Sequence, residues 1–375
     1  MLARDRIIGP GCKIPKIVNG MSQTQSTAAT PAAETRPAPQ PIRTFPRLRG
    51  LAWYGSTLLA SQAYTLLSAD VSDSAPQWRI VASYRPVWWR SLTASMRLSY
   101  RFFNDGFQAL AALPTGHLVA SVPGAIISVA PGESEFHITQ EIRSGSPPRS
   151  IVATREGKIF WCAHQETSGG RQCCLYASPD RGWTWDMAHT FPNSIIGIRG
   201  LVHDDWDNCL WILADEESPN CRVFRASLDC RVVETAISGS EARMGACLPT
   251  REAIYFGSYS PAPSNHIFRL RRNGSLIKVA NVDGPCVSAC QVGPSLFFST
   301  TPKPNNGGNS KAVKIYRSPD GDNWEEFLRW RKDLWPAGFQ RGCAFFPQGQ
   351  NSADLLAVST VGVSGLDLQT TLWRI

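Results

Sequence analysis

The sequence predicts an all-β fold: a β-propeller of about seven four-stranded blades, closed by an N-terminal strand and preceded by a disordered basic tail. Three observations predict it. The chain of 375 residues carries 30 glycines and 27 prolines and is only 18% charged, a turn-rich composition that favours many short strands over long helices. An apolar run, an acidic turn and a tryptophan follow one another at Cys174 to Trp185 and again at Val313 to Trp324, where the stretch from Ser318 to Trp324 is one residue shorter than that from Ser178 to Trp185. A strand rich in small residues recurs at intervals of roughly 45–50 residues, the length of one propeller blade.

The elements follow from that period. The strands that open the units are residues 49–53 (RGLAW), 105–109 (DGFQA), 149–153 (RSIVA), 199–203 (RGLVH), 243–247 (RMGAC), 285–289 (PCVSA) and 341–345 (RGCAF). Small side chains suit the innermost strand, where blades crowd round the axis. Second strands are expected over 56–62, 116–122, 158–164, 209–214, 253–258, 295–300 and 354–361. After the last of these only residues 370–375 remain, which leaves the seventh blade one strand short. Residues 41–46, just ahead of the first blade, can supply it and remove an open sheet edge. The organisation expected is a tail over 1–40 and a propeller over 41–375.

The net charge is +8, but residues 1–50 hold a net +6, so the other 325 residues carry only +2. A nearly neutral body argues against nucleic-acid binding. Residues 21–41 are mostly Ser, Thr, Gln, Ala and Pro and cannot bury enough surface to offset ordering entropy. No secretory apolar region and no run of 18 apolar residues occurs, so no signal peptide and no membrane span are expected, with the cytoplasm as the default compartment; Met1 or Met21 is the start. The eleven cysteines lack a CxxC pair or zinc spacing. Cys162 and Cys173 flank the loop 165–170 symmetrically, as either a cross-strand disulfide or two buried thiols. No cofactor motif and no metal site are expected, and His203-Asp204-Asp205 reads as a polar turn.

The segment Ser178, Asp180, Gly182, Thr184 and Trp185 resembles the Asp-box family, also called bacterial neuraminidase repeats, at every fixed position of Ser/Thr-x-Asp-x-Gly-x-Thr-Trp. Ser318, Asp320 and Trp324 match with one residue deleted, and Ser227 and Asp229 match the first half. The resemblance implies a sialidase-like propeller in which this turn joins the third and fourth strands, on the face away from the usual site. Asp180 and Asp320 are therefore structural. The Phe-Arg-Ile-Pro segment usual in sialidases is absent.

Candidate site residues belong to the other face. Arg49, Arg149, Arg199, Arg243 and Arg341 recur at the start of innermost strands, where they either bind a carboxylate or phosphate at the axial mouth or cap neighbouring carbonyls. Residues 85–104, with Trp88 and Trp89 among several arginines, suit a sugar ring or polyanion, or equally a small helix over the blades. Acids on that face include Glu166, Asp215, Glu216, Glu217, Asp283 and Asp333. Hydrolysis of a glycosidic bond needs two converging carboxyls or a tyrosine with an acid; the catalytic candidates are Tyr259, Glu166 and Asp283, with Tyr255 and His266 close in sequence to Tyr259. The expected function is a glycan-directed protein, in its sharpest form a glycoside hydrolase acting on an anionic carbohydrate at an Arg-lined mouth. The alternative is a non-catalytic scaffold for a protein or polysaccharide partner.

Overall fold

The computed structural model describes residues 39–143, 145–167, 170–217, 219–260, 264–302, 312–335 and 342–375. Strand β1 (Pro41–Pro46) precedes the first blade, which contains β2 (Arg49–Gly55), β3 (Thr57–Gln62), β4 (Thr65–Asp70) and β5 (Arg79–Ser83). Two helices follow, α1 (Trp88–Ser95) and α2 (Arg97–Phe103). The second blade is β6 (Ala109–Ala112), β7 (Leu118–Val122), β8 (Ala125–Val129) and β9 (His137–Glu141). The third is β10 (Ile151–Ala153), β11 (Ile159–Thr167), β12 (Gly170–Ser178) and β13 (Asp186–Thr190), and the fourth β14 (Ile195–Asp204), β15 (Cys209–Glu216), β16 (Arg222–Ser227) and β17 (Val233–Ser238). The fifth is β18 (Met244–Pro249), β19 (Ala253–Ser258), β20 (Asn265–Arg271) and β21 (Leu276–Val282). The sixth is β22 (Cys286–Val292), β23 (Ser295–Thr300), β24 (Ala312–Ser318) and β25 (Glu325–Arg331). The seventh holds β26 (Cys343–Phe345), β28 (Leu355–Val361) and β29 (Gln369–Arg374), while β27 (Gln348–Asn351) crosses to run parallel to β2 as a fifth strand of the first blade.

The expected closure is present. β1 pairs antiparallel with β29, so the first strand of the chain is the outermost strand of the last blade. The seam is also fastened from inside. The Gly50 N–H donates to Ser359 Oγ and Thr370 Oγ1, each at 2.9 Å, and the Thr370 hydroxyl donates to Leu48 O at 2.8 Å. All three groups are buried, where unmade bonds would be costly.

Between blades the core is built from alternating inward-facing residues. Leu110, Ala120 and Ile127 of the second blade pack on Leu59 and Leu66 of the first, for example. The third-to-fourth strand pairing slips register by one residue in each of the first six blades, as at Leu175/Tyr176 and Val223/Phe224. Such bulges increase the twist that each blade needs to fan outward from the axis.

The acidic turn after β12 has the chemistry its residues require. The Asp180 carboxylate accepts from Ser178 Oγ (2.8 Å), from the Trp183 and Thr184 N–H groups (3.2 and 2.9 Å) and from Thr184 Oγ1 (2.7 Å). Partial burial raises the carboxyl's pKa, but these hydrogen bonds outweigh it and hold Asp180 below the ordinary value. Gly182 takes φ of +92°, and an added Cβ would lie 2.5 Å from Val119 Cγ2 of the second blade. Trp185 reaches back the same way, donating Nε1–H to Thr139 Oγ1 at 3.1 Å. Asp320 and Trp324 repeat the device between the fifth and sixth blades, with Trp324 against Phe298 and Tyr255. Ser227 donates to Asp229 at 2.6 Å and Asp229 accepts from the Arg231 N–H at 3.1 Å, but this turn lacks the tryptophan.

Candidate functional site at the axial mouth

The innermost strands of the blades enclose a central cavity of about 2060 Å³. Its upper mouth lies on the face that carries the connections between blades and the turns between second and third strands. The acidic turns lie on the lower face.

Four of the five recurrent arginines fall within the described residues, and they divide by role. Arg49 donates to Phe107 O (3.1 Å) and Gln108 O (3.4 Å), which makes it a cap joining the first blade to the second. Arg199 and Arg243, on the fourth and fifth blades, share one carboxylate: Asp215 lies 2.5 Å from Arg199 and 3.1 Å from Arg243. The Arg199 guanidinium also sits over the Tyr259 ring at 3.9 Å, which fixes its plane. Both side chains remain about a fifth exposed, and the inner Nε–H of each is buried with no hydrogen-bond acceptor. Arg149 is different. It lines the cavity from the third blade, is exposed, and has no ion-pair partner among the described residues. Arg341 lies outside the described residues.

The catalytic candidates are not brought together at this mouth. Tyr259 lines the cavity beneath Arg199. Asp283 stands apart from the lining and accepts from Lys314 Nζ. Glu166 lies in β11 opposite Arg171, and its side chain is outside the described residues. Two other acids of this face are held by cations, Glu216 by Arg222 at 2.6 Å and Asp333 by Arg101 at 2.6 Å, while Glu217 is exposed and has no ion pair among the described residues. Burial raises the Asp333 pKa, but the bond and charge of Arg101 outweigh it and leave the carboxyl below its usual range. Tyr255 is part of the wall between the fifth and sixth blades, not of the mouth.

Cysteine chemistry is equally muted. In β11 and β12, Cys162 lies opposite Leu175 and Cys173 opposite His164, so the two are not direct cross-strand partners, and both are free thiols. Burial pushes the Cys162 thiol well up and Cys173 up to about 12, which keeps both protonated and poorly nucleophilic. Among the described residues no group of three His, Cys, Asp or Glu is placed to hold a metal, and no helix is long and apolar enough to cross a membrane. His203 is held by Asp205 at 3.1 Å in the turn, while Asp204 is wholly buried and serves the packing of blades.

The rim of the mouth is built by residues 85–104, which form helices α1 and α2 rather than an open loop. No Gly or Pro interrupts residues 88–103, Pro86 precedes them, and Asn104 ends α2 in the left-handed region at φ of 52°. The insert is anchored by polar groups. Buried Asp105 accepts from Arg90 (2.8 Å), Thr93 Oγ1 (2.6 Å) and Tyr64 Oη (2.9 Å). Arg97 and Arg101 reach over to the seventh blade at Asp367, 2.7 and 3.5 Å away. Only Ala94 and Arg101 of the two helices are buried, while Trp88, Leu92, Met96, Leu98 and Phe102 face solvent, Trp88 at 78% exposure and Phe102 at 63%. The helices are therefore inverted relative to the usual surface helix: ionic contacts inward, apolar side chains outward. Trp89 packs edge-on against Phe103 with Arg90 over its ring, and neither tryptophan lines the cavity. Leu334, 90% exposed, adds to the apolar side chains exposed on the upper face. The inversion was not read from the sequence; its signal is a run of 20 residues with four arginines, no acid and several large apolar side chains.

No model of a known protein family matches this chain, and no curated protein sequence does. Solved structures match its fold. A chain in the crystal structure of the Mitotic Checkpoint Complex superposes with a TM-score of 0.56 at 8% identity, over 94% of this chain and 99% of that one. The WD40 β-propeller domain of Doa1 gives 0.56 at 8% identity, covering 90% and 97%. The β-propeller domain of Cps50 (Swd1) from Myceliophteria thermophila gives 0.54 at 11%, covering 90% and 99%. At such identities the similarity establishes a seven-bladed propeller and nothing finer, and nothing in the comparisons supports sialidase-like activity or a carbohydrate ligand.

Proposed function

We propose that this protein is a non-catalytic propeller scaffold that binds a protein partner on its upper face. The observation that carries the reading is the inverted α1–α2 insert, whose large apolar side chains are held in water by a polar, ion-paired base. Several large apolar side chains exposed on one short insert mark an interaction site more often than a surface left to solvent. Aromatic anchors such as Trp88 and Phe102 are the residues that dominate the energetics of protein interfaces. Hydrolysis finds less support, because the one acid of the cavity's upper mouth, Asp215, is neutralised by two arginines among the described residues.

The test is site-specific photo-crosslinking in the cell with a crosslinking residue at Leu92. A discrete crosslinked protein is expected, and the double substitution Trp88→Ser/Phe102→Ser, which alters only exposed side chains, should abolish it. Absence of any crosslink would overturn the reading. So would turnover of an acidic glycan by the purified protein that is lost in Tyr259→Phe, which would reinstate the hydrolase.

A further inference from the structure

We infer that the upper axial mouth is an anion-binding site for a carboxylate-rich peptide segment, with Arg149, Arg199 and Arg243 as its cations; this rests on the reading of the upper face as a protein-binding platform. The charge balance carries it. Two guanidiniums share a single carboxylate at Asp215, so that cluster keeps a surplus positive charge. Arg149 adds a third charge from the neighbouring blade, without an ion-pair partner among the described residues, where β10 lies against β14. A cleft with a surplus of one sign and low-dielectric walls focuses the field and attracts the opposite charge.

The spread of the cations indicates the ligand. Arg149, Arg199 and Arg243 stand on three successive blades, Arg149 and Arg199 on the cavity lining and Arg243 reaching it through Asp215, so they are spread along an arc instead of converging on one point. A single phosphate meets one or two of them. A chain bearing several carboxylates meets all three, and guanidinium forks bind carboxylates in pairs of hydrogen bonds. Arg199 is already oriented for this, because its plane is fixed on the Tyr259 ring. The insert lies at the same rim, with Tyr100, Arg101 and Phe102 among the cavity's lining residues. A partner segment with acidic residues followed by apolar ones would therefore fill the mouth and lie along the insert.

Fluorescence anisotropy with a labelled ten-residue Glu/Asp peptide, and its Gln/Asn counterpart as the neutral probe, tests the assignment on the full chain. The acidic peptide should bind, the neutral one should not, and affinity should fall at least tenfold between 50 and 300 mM salt as exposed pairs are screened. Arg149→Gln should weaken binding about tenfold with an unchanged melting temperature, since Arg149 is exposed and makes no ion pair among the described residues. Arg243→Met/Asp215→Asn, which removes one cation and the competing carboxylate together, serves as a second variant and should bind less steeply with salt. No binding of the acidic peptide at low salt, or equal binding by Arg149→Gln, would overturn the inference. Binding of a phosphate- or sulfate-bearing oligosaccharide in place of the peptide would also overturn it. None of these results moves the Leu92 crosslink, which reports on the scaffold reading alone.

Discussion

Asp204 supplies the sharpest prediction about what holds the ring together. It ends β14 in the fourth blade, and its wholly buried carboxylate receives Arg272 of the fifth blade through two hydrogen bonds of 3.0 Å. Trp211 Nε1 and the Trp206 N–H donate to the same carboxylate, each at 3.1 Å. Substituting Asp204→Leu strands an indole N–H and weakens the hold on a guanidinium that is one-fifth exposed. Breaking a buried pair from one side costs about 3–5 kcal/mol. Arg272 retains Asp207 at 2.7 Å and Arg251 O at 3.0 Å, so we place the loss at about 3 kcal/mol, the lower end of that range. In Asp204→Leu/Arg272→Met the charge is gone from both sides, and well-packed apolar replacements of buried pairs are close to neutral. The double variant should therefore recover about half of the loss, a coupling on the order of 1.5 kcal/mol or more. Urea denaturation followed by tryptophan fluorescence measures both, with a non-ionic denaturant so that the pair is not screened. A loss below about 1 kcal/mol for Asp204→Leu, or strictly additive single effects, would refute the claim that this pair welds the blades.

The same group sets a pH dependence. Burial raises the Asp204 pKa, but the bonds from Arg272 and Trp211 outweigh it, so the folded-state value lies below the ordinary 3.8. The stabilisation is present above 3.8 and is lost as pH falls through the lower folded-state pKa; below pH 3.8 wild type should lose stability more steeply than Asp204→Leu, as read from urea midpoints. Gly182→Ala should cost about 3 kcal/mol, combining a disfavoured positive φ with overpacking against Val119. Gly124→Ala, at φ of +89° with no atom within 4 Å of the added Cβ, should cost only about 1 kcal/mol, and the ratio of the two is the check. A chain beginning at Leu48 lacks β1 and leaves the β29 edge open. It should melt several degrees below one beginning at Gln40 and aggregate sooner by light scattering, whereas equal melting would deny β1 its closing role.

Much of the architecture was legible because it is local chemistry repeated. Turns that need Asp, Gly and Trp at fixed spacing, small residues at the head of each innermost strand, and a seventh blade one strand short are all visible without coordinates. The second strands expected at 209–214, 253–258 and 295–300 fall at β15, β19 and β23. The insert escaped because 20 residues with large apolar side chains read equally as a binding loop or a helix, and only contacts with Asp105 and Asp367 decide that the apolar side chains face outward. The site was legible as a set of residue types and not as a set of pairs. Arg199 and Arg243 could equally bind a ligand or a neighbour, and Asp215, on the strand paired with β14, claims both.

By itself, then, the sequence determined a ring of about seven four-stranded units and the closure by residues 41–46, which follow from turns and periodicity, but not the crossing of β27 to the first blade. The tertiary structure alone decided which charges are neutralised: Asp204 meets Arg272 across 68 positions of chain, and Arg149 meets no partner among the described residues. Periodicity constrains where a strand runs, whereas ion pairing depends on which side chains two neighbouring blades bring within hydrogen-bond reach, a distance that chain spacing does not encode.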